Sequence, residues 1–234
     1  MPEVFRQGVL EMSGTPLSLP AGMPSWQDCL TNRIAVVVTV LLGFCLLREY
    51  QRLVPALRDC LIRWKANVSL EHSMSQARSR NLLALSSALP FLLLADRFRF
   101  FRPAFWDAVP LPWSLPATAG VLLVFVLFRG LLYLLIRPAR LGTEQRTAAR
   151  KTLYNCFILL VLALLLTTMF LLGFHAGDTL VRRVLLGECA LFWLVSLVRT
   201  GQIFAANCNS FATILYLCAF EILPFGILLF TGTL

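Results

Sequence analysis

Apolar residues along this chain gather into runs that can be read as elements by length alone, with arginine-rich polar stretches between them. Five runs are clear: Ile34 to Leu47, Ala117 to Ile136, Thr152 to Phe174, Leu180 to Val198 and Phe211 to Phe230. A helix rising about 1.5 Å per residue needs about 20 residues to cross ~30 Å of hydrocarbon, so each run predicts a transmembrane helix. A sixth run, NLLALSSALPFLLLA from Asn81, is short and holds Pro90. It spans when it continues into DRFRFFRPAFW with Arg97 and Arg99 reaching back to the headgroups, and is otherwise re-entrant or interfacial. The pattern predicts an all-α polytopic bundle of about six spans, with residues 31–234 forming one integral membrane domain.

The polar stretches complete the layout. Residues 1–30 carry Pro and Gly breakers and no apolar core behind an early positive cluster, which predicts a flexible tail and not a signal peptide. Residues 48–80 read as a basic cytoplasmic loop. Within it Leu53, Leu57, Leu61 and Trp64 recur at helical spacing, which predicts an amphipathic helix lying on the membrane face or packed on the protein's own loops. Asn67-Val68-Ser69 has the form of a glycosylation sequon on the wrong side for glycosylation. The aromatic and Arg-rich stretch Asp96 to Pro116 reads as an interfacial belt, with the lining of a periplasmic mouth as the alternative. With six spans, the first, third and fifth loops carry thirteen Lys and Arg against seven on the other side, which places both termini in the periplasm.

Composition agrees with the pattern. The chain is 58% hydrophobic and 14% charged, with a mean hydropathy of +0.76, against about 45–50% and about 25% in soluble domains. The apolar runs use most of the chain and leave little room for a separate soluble domain. The net charge of +9 sits mainly at membrane edges without the aromatic interleaving of a nucleic-acid groove. The expected partner is therefore the bilayer, with anionic headgroups at the basic cytoplasmic loops. A membrane-protein partner or a homo-oligomer is a further expectation, and nucleic acid is not. The seven cysteines are scattered and lack metal-ligand spacing, so they read as small hydrophobes, and no cofactor or metal is expected.

Three ionisable residues lie inside predicted spans: Arg129, Glu188 and Glu221. Each costs about 2.5–3.5 kcal/mol on insertion scales, so such groups face the bundle interior and pair. Counted from the ends of the apolar runs they lie about 10, 15 and 15 Å from the cytoplasmic side, which predicts that they meet in one layer. Tyr133 shares a helix side with Arg129, and Arg199 shares one with Glu188. Ser210, Thr213, Leu217 and Glu221 form one stripe. Pro224 has no N–H for the carbonyl of Phe220 and predicts a kink beside Glu221. One arginine against two glutamates leaves a carboxylate without a counter-ion.

The run Ser210 to Leu229, with Leu215-Tyr216-Leu217-Cys218 and Glu221-Ile222-Leu223-Pro224, preceded by Leu197 to Gln202, resembles the ending of a family of multi-span inner-membrane proteins of Bacteroidota known as a domain of unknown function. The resemblance implies a polytopic helical domain in the cytoplasmic membrane of a Gram-negative cell, and assigns no chemistry. The chain has no GxSxG, HExxH, P-loop or GxGxxG motif, and His72 and His175 have no partners at ligand spacing. The leading reading is therefore a non-enzymatic subunit or assembly factor of an envelope complex. A small proton- or ion-coupled transporter using Glu221 is the alternative, and a membrane enzyme acting on a lipid-linked substrate the third.

Overall fold

The computed structural model describes residues 26–100, 109–135, 142–206 and 208–227. Residues 1–25 of the expected tail and residues 101–108 of the aromatic stretch lie outside the described residues. A short 3-10 turn, Trp26–Asp28, leads into α1 (Leu30–Ile62), α2 (Trp64–His72), α3 (Met74–Arg97), α4 (Leu111–Leu135), α5 (Thr143–Gly173), α6 (Asp178–Ala205) and α7 (Ser210–Leu217). A π turn, Cys218–Ile222, extends α7, and the helical rod continues to Ile227. The described residues are all helix and connecting turn, without a strand.

Four helical segments are long and apolar enough to cross a membrane: Leu30–Ile62, Leu111–Leu135, Gln145–Gly173 and Ser210–Ile227. Neither α3 nor α6 is among them; the first half of α3 carries Ser75, Gln76, Arg78 and Asn81, all exposed. Its C-terminal half buries Pro90, Phe91, Leu93, Leu94, Ala95 and Asp96 against α1, α4 and α5. This half of α3 is the more fully covered by its neighbours, while Leu82 and Leu85 remain exposed.

Successive long helices run in opposite directions. The indole of Trp26, before α1, meets Asp96 at the end of α3, and Ser114 and Thr118 at the start of α4 meet the same carboxylate. This end of the bundle also holds the α5–α6 turn. The opposite end holds the end of α1, α2 and the α2–α3 connection, together with the ends of α4 and α6 and the starts of α5 and α7. α5 is the central strut, touching α1, α2, α3 and α6. Phe91, Leu94, Val161, Leu164, Val181 and Leu185 pack between α3, α5 and α6, and Leu53, Leu57, Leu83 and Ile158 between α1, α3 and α5.

The basic stretch at 48–80 is helical, as the leucine spacing within it predicts. α1 runs on through Pro55 to Ile62, α2 follows after one residue, and α3 starts at Met74. The leucine stripe of this segment does not lie on a membrane surface. Leu53 and Leu57 are buried against α3 and α5, so its amphipathic period reflects packing on the protein itself.

α3 and α5 end alike. Arg99 (φ 52°) and His175 (φ 54°) adopt the left-handed conformation. Phe100 N–H bonds to Ala95 O and Arg99 N–H to Asp96 O; at the end of α5, Ala176 N–H bonds to Leu171 O and His175 N–H to Leu172 O. These pairs of bonds form Schellman caps, in which glycine is the favoured left-handed residue. Holding a residue with a Cβ there costs about 1 kcal/mol. His175→Gly is expected to raise stability by about that amount, read as an increase in Tm in detergent; an unchanged or lower Tm would show that the imidazole makes a compensating contact.

Candidate functional site

The membrane-embedded charges form one tight cluster and leave two residues elsewhere. Arg129, near the end of α4, places Nη2 2.5 Å from Oε1 of Glu221 in the π turn. Its Nη1 donates to the carbonyl of Arg150 on α5 at 3.0 Å. The Tyr133 hydroxyl, one turn beyond Arg129, donates to the same Glu221 oxygen at 3.2 Å, and the guanidinium lies 5.0 Å from the Tyr133 ring centroid. Arg129, Tyr133 and Glu221 are 4%, 2% and 3% exposed, so lipid and solvent are both excluded from the pair. The backbone of Tyr133 is held in turn, because Arg146 donates to its carbonyl.

Aromatic rings seal this cluster. Phe220 stacks on Tyr133 with centroids 4.2 Å apart and also meets Tyr216 and Phe204. With Ala149 and Ile203 they fill the space between α4, α5, α6 and α7. The π turn places the adjacent residues Phe220 and Glu221 together on the buried side. Its Leu223 N–H reaches back five residues to Cys218 O, which widens the turn just ahead of Pro224. The irregularity expected from Pro224 thus takes the form of a π turn inside a rod that continues to Ile227, and the next ring, Phe225, stacks on Trp193 of α6 at 4.4 Å.

Glu188 does not join this layer. It accepts a bond of 2.5 Å from Thr167 of α5, seventeen residues beyond Arg150 on that helix, or about 26 Å along it. The one-layer expectation fails because helix ends and apolar-run ends differ. α6 continues seven residues past Val198 to Ala205, so a depth counted from the apolar run puts Glu188 too close to the basic end. Its second carboxylate oxygen is buried without a hydrogen-bond partner among the described residues. Arg199 is also separate: its Nε donates to Leu61 O at 2.7 Å and Nη1 to Gln202 at 2.7 Å.

Arg199 instead helps close the end of α1. The last carbonyls of a helix have no intrahelical donors. Here Leu61 O takes Arg199, and Cys60 O takes Nδ2 of Asn67 from α2 at 3.1 Å. The Asn67 side-chain oxygen then accepts Nδ2 of Asn155 from α5 at 2.7 Å. Both asparagines are buried. Nothing in the local sequence marks Asn67 for this role.

Asp96 is the other residue that pattern reading missed. It is 8% exposed and takes the Trp26 indole N–H at 2.6 Å, the Ser114 hydroxyl and the Thr118 hydroxyl at 3.4 Å. It therefore ties the first turn, α3 and α4 together. The available signal was an acid standing alone among Arg97, Arg99 and Arg102. Arg80, counted among the loop charges, is fully buried and bonds to Asn81.

No group of three His, Cys, Asp or Glu at metal-binding distance occurs among the described residues. Enclosed apolar helices joined by an intramembrane Arg–Glu–Tyr cluster define a polytopic helical membrane protein. The chain belongs to the family described as Domain of unknown function (DUF4271), which matches residues 74–230. That match takes in Arg129, Tyr133, Glu188, Arg199, Glu221 and Pro224 and excludes α1 and α2. No curated protein and no solved structure matches the chain.

Proposed function

We propose that this is a non-enzymatic inner-membrane protein, a subunit or assembly factor of an envelope complex, in which the Arg129–Glu221 pair locks α4 to α7. The observation that carries this reading is the closure of the pair: both charges bond within the protein, and Phe220 and Tyr133 stack over them. A buried, hydrogen-bonded ion pair sets helix register, a use known for buried charges, although Arg129 Nε has no partner among the described residues. In this reading α3 and α6 span with the four more apolar segments, both termini are periplasmic, and the basic end faces the anionic cytoplasmic headgroups.

Support for a proton- or ion-coupled transporter comes from one feature, the π turn that carries Glu221 ahead of Pro224, since π turns and interrupted helices recur at functional sites. Two experiments separate the readings. A stable partner recovered after mild-detergent purification, and lost on Glu221→Gln, is expected for the subunit; flux in proteoliposomes that follows an imposed pH gradient would replace that reading with the transporter. For sidedness, cysteine-specific labelling in spheroplasts should reach a cysteine placed at Asp178 from outside and one placed at Arg63 only after lysis. The reverse result would invert the arrangement.

A further inference from the structure

Glu188 is the intramembrane charge that the Arg129–Glu221 lock leaves over. It lies ten residues into α6, about 15 Å from the start of the helix and so halfway across ~30 Å of hydrocarbon. One carboxylate oxygen accepts the Thr167 hydroxyl, the other is buried without a partner, and Glu188 makes no ion pair among the described residues. Ionisable groups at such depth pair with one another or line a polar interior. A single hydroxyl supplies neither.

The side chain stands where another chain can supply the missing charge. Glu188 is half-buried, at the edge of the seam between α5 and α6, and its neighbours on both helices turn outward. Leu166 and Phe170, which flank Thr167, are 70% and 65% exposed, and Leu191, one turn beyond Glu188, is 60% exposed. Gly187 is exposed too, and a Cβ there would meet nothing within 4 Å. Small residues on an outer helix face let a second backbone come close.

Charge decides between the occupants. A lipid headgroup stays at the surface, half a bilayer away from Glu188. A second copy has Arg129 as its membrane-embedded cation, and that group is enclosed and already paired. Two-fold contact on this face would also set one Glu188 against the other. A transmembrane helix bearing Arg or Lys near its middle brings the counter-charge and an apolar surface together.

We infer that the α5–α6 seam at Glu188 is the docking site for a transmembrane helix of another protein that carries an arginine or lysine at mid-membrane. The inference rests on the subunit reading, in which α6 spans, and names the chemistry of the partner.

The test uses the full chain in phosphatidylcholine bilayers with a Leu-Ala transmembrane peptide of about 23 residues that has one central arginine, and a counterpart with glutamine there. Energy transfer between a dye on the peptide and one on a C-terminal tag reads association. The wild type should bind the arginine peptide at least about tenfold more tightly than the glutamine peptide, the low end for close charge pairs between chains. Glu188→Gln, which keeps an acceptor for Thr167, should abolish that preference. Gly187→Leu keeps the carboxylate but holds the peptide away, and should weaken binding of the arginine peptide. Leu191→Trp serves in its place if the leucine impairs folding, which circular dichroism and Tm report.

Equal binding of the two peptides by the wild type would overturn the site. So would a preference that persists in Glu188→Gln, which would move the contact to another acid, or self-association of the wild type that Glu188→Gln abolishes, which would make the occupant a second copy. The subunit reading fails separately. A natural partner lost on Glu221→Gln but kept on Glu188→Gln retains that reading and overturns this site, whereas flux driven by a pH gradient removes that reading whatever the peptides do.

Discussion

Glu221→Ala should lower the stability of the protein by about 3–5 kcal/mol, because it leaves the Arg129 guanidinium enclosed between α4, α5 and α7 without its counter-charge. The Tyr133 hydroxyl loses its acceptor at the same time. The loss should appear as a large fall in Tm in mild detergent and in the abundance of the variant in membranes. The informative companion is the double change Arg129→Met with Glu221→Leu. Replacing both members of a buried ion pair with apolar residues of similar volume is often neutral or stabilising, so the double variant should recover most of the stability lost by the single one. Recovery of stability without recovery of partner binding would show that the pair serves the complex as well as the fold. A single variant as stable as the wild type would mean that Arg129 finds another acceptor, and the lock would be lost as an explanation.

Asn67→Ala should cost about 1–3 kcal/mol, since it strands a buried donor, Nδ2 of Asn155 on α5, a group worth about that much when left without a partner. It also removes the amide bond to the Cys60 carbonyl at the end of α1. Asn155→Leu in the same chain should return part of the loss by removing the stranded donor. A double-mutant cycle followed by Tm gives the coupling, and an additive cycle would separate the two asparagines. The size of this effect depends on the low dielectric of the site, where an unmade bond is most costly.

These two sites show unequally in the sequence. Long apolar runs announce membrane helices because lipid imposes one requirement on every exposed residue, and Arg129 and Glu221 stand out against that background. Their pairing depends on how α4 and α7 are brought together, yet a charge inside an apolar run is signal enough to begin with. Asn67 gives no such signal. It lies in a polar stretch, and its sequon form invites an unrelated reading. Only the break between α1 and α2 and the approach of α5 turn it into a cap. The placement of Glu188 was obscured for a different reason: apolar runs mark what must face lipid, whereas helices continue into polar turns, so depth counted from run ends drifts. α3 follows the same rule, since its polar residues gather in the first half, where Ser75, Gln76, Arg78 and Asn81 are exposed, and its apolar run fills only the second.

The enclosure of α3 has a bearing on biosynthesis. Chains emerge from the ribosome with the N-terminal part first, so in the proposed six-span arrangement α1 and α3 leave the translocon before α4 and α5 exist to cover them. In the six-span arrangement, α3 then meets lipid with Arg80, Ser87 and Asp96 unshielded, residues that finish buried. Its own apolarity gives it a weak hold on the bilayer at that stage. Stable residence waits for α4 to deliver Ser114 and Thr118 to Asp96 and for α5 to close over Leu83 and Phe91. Truncation after α3 should therefore yield a segment that slips back out of the membrane, and extension through α5 one that stays.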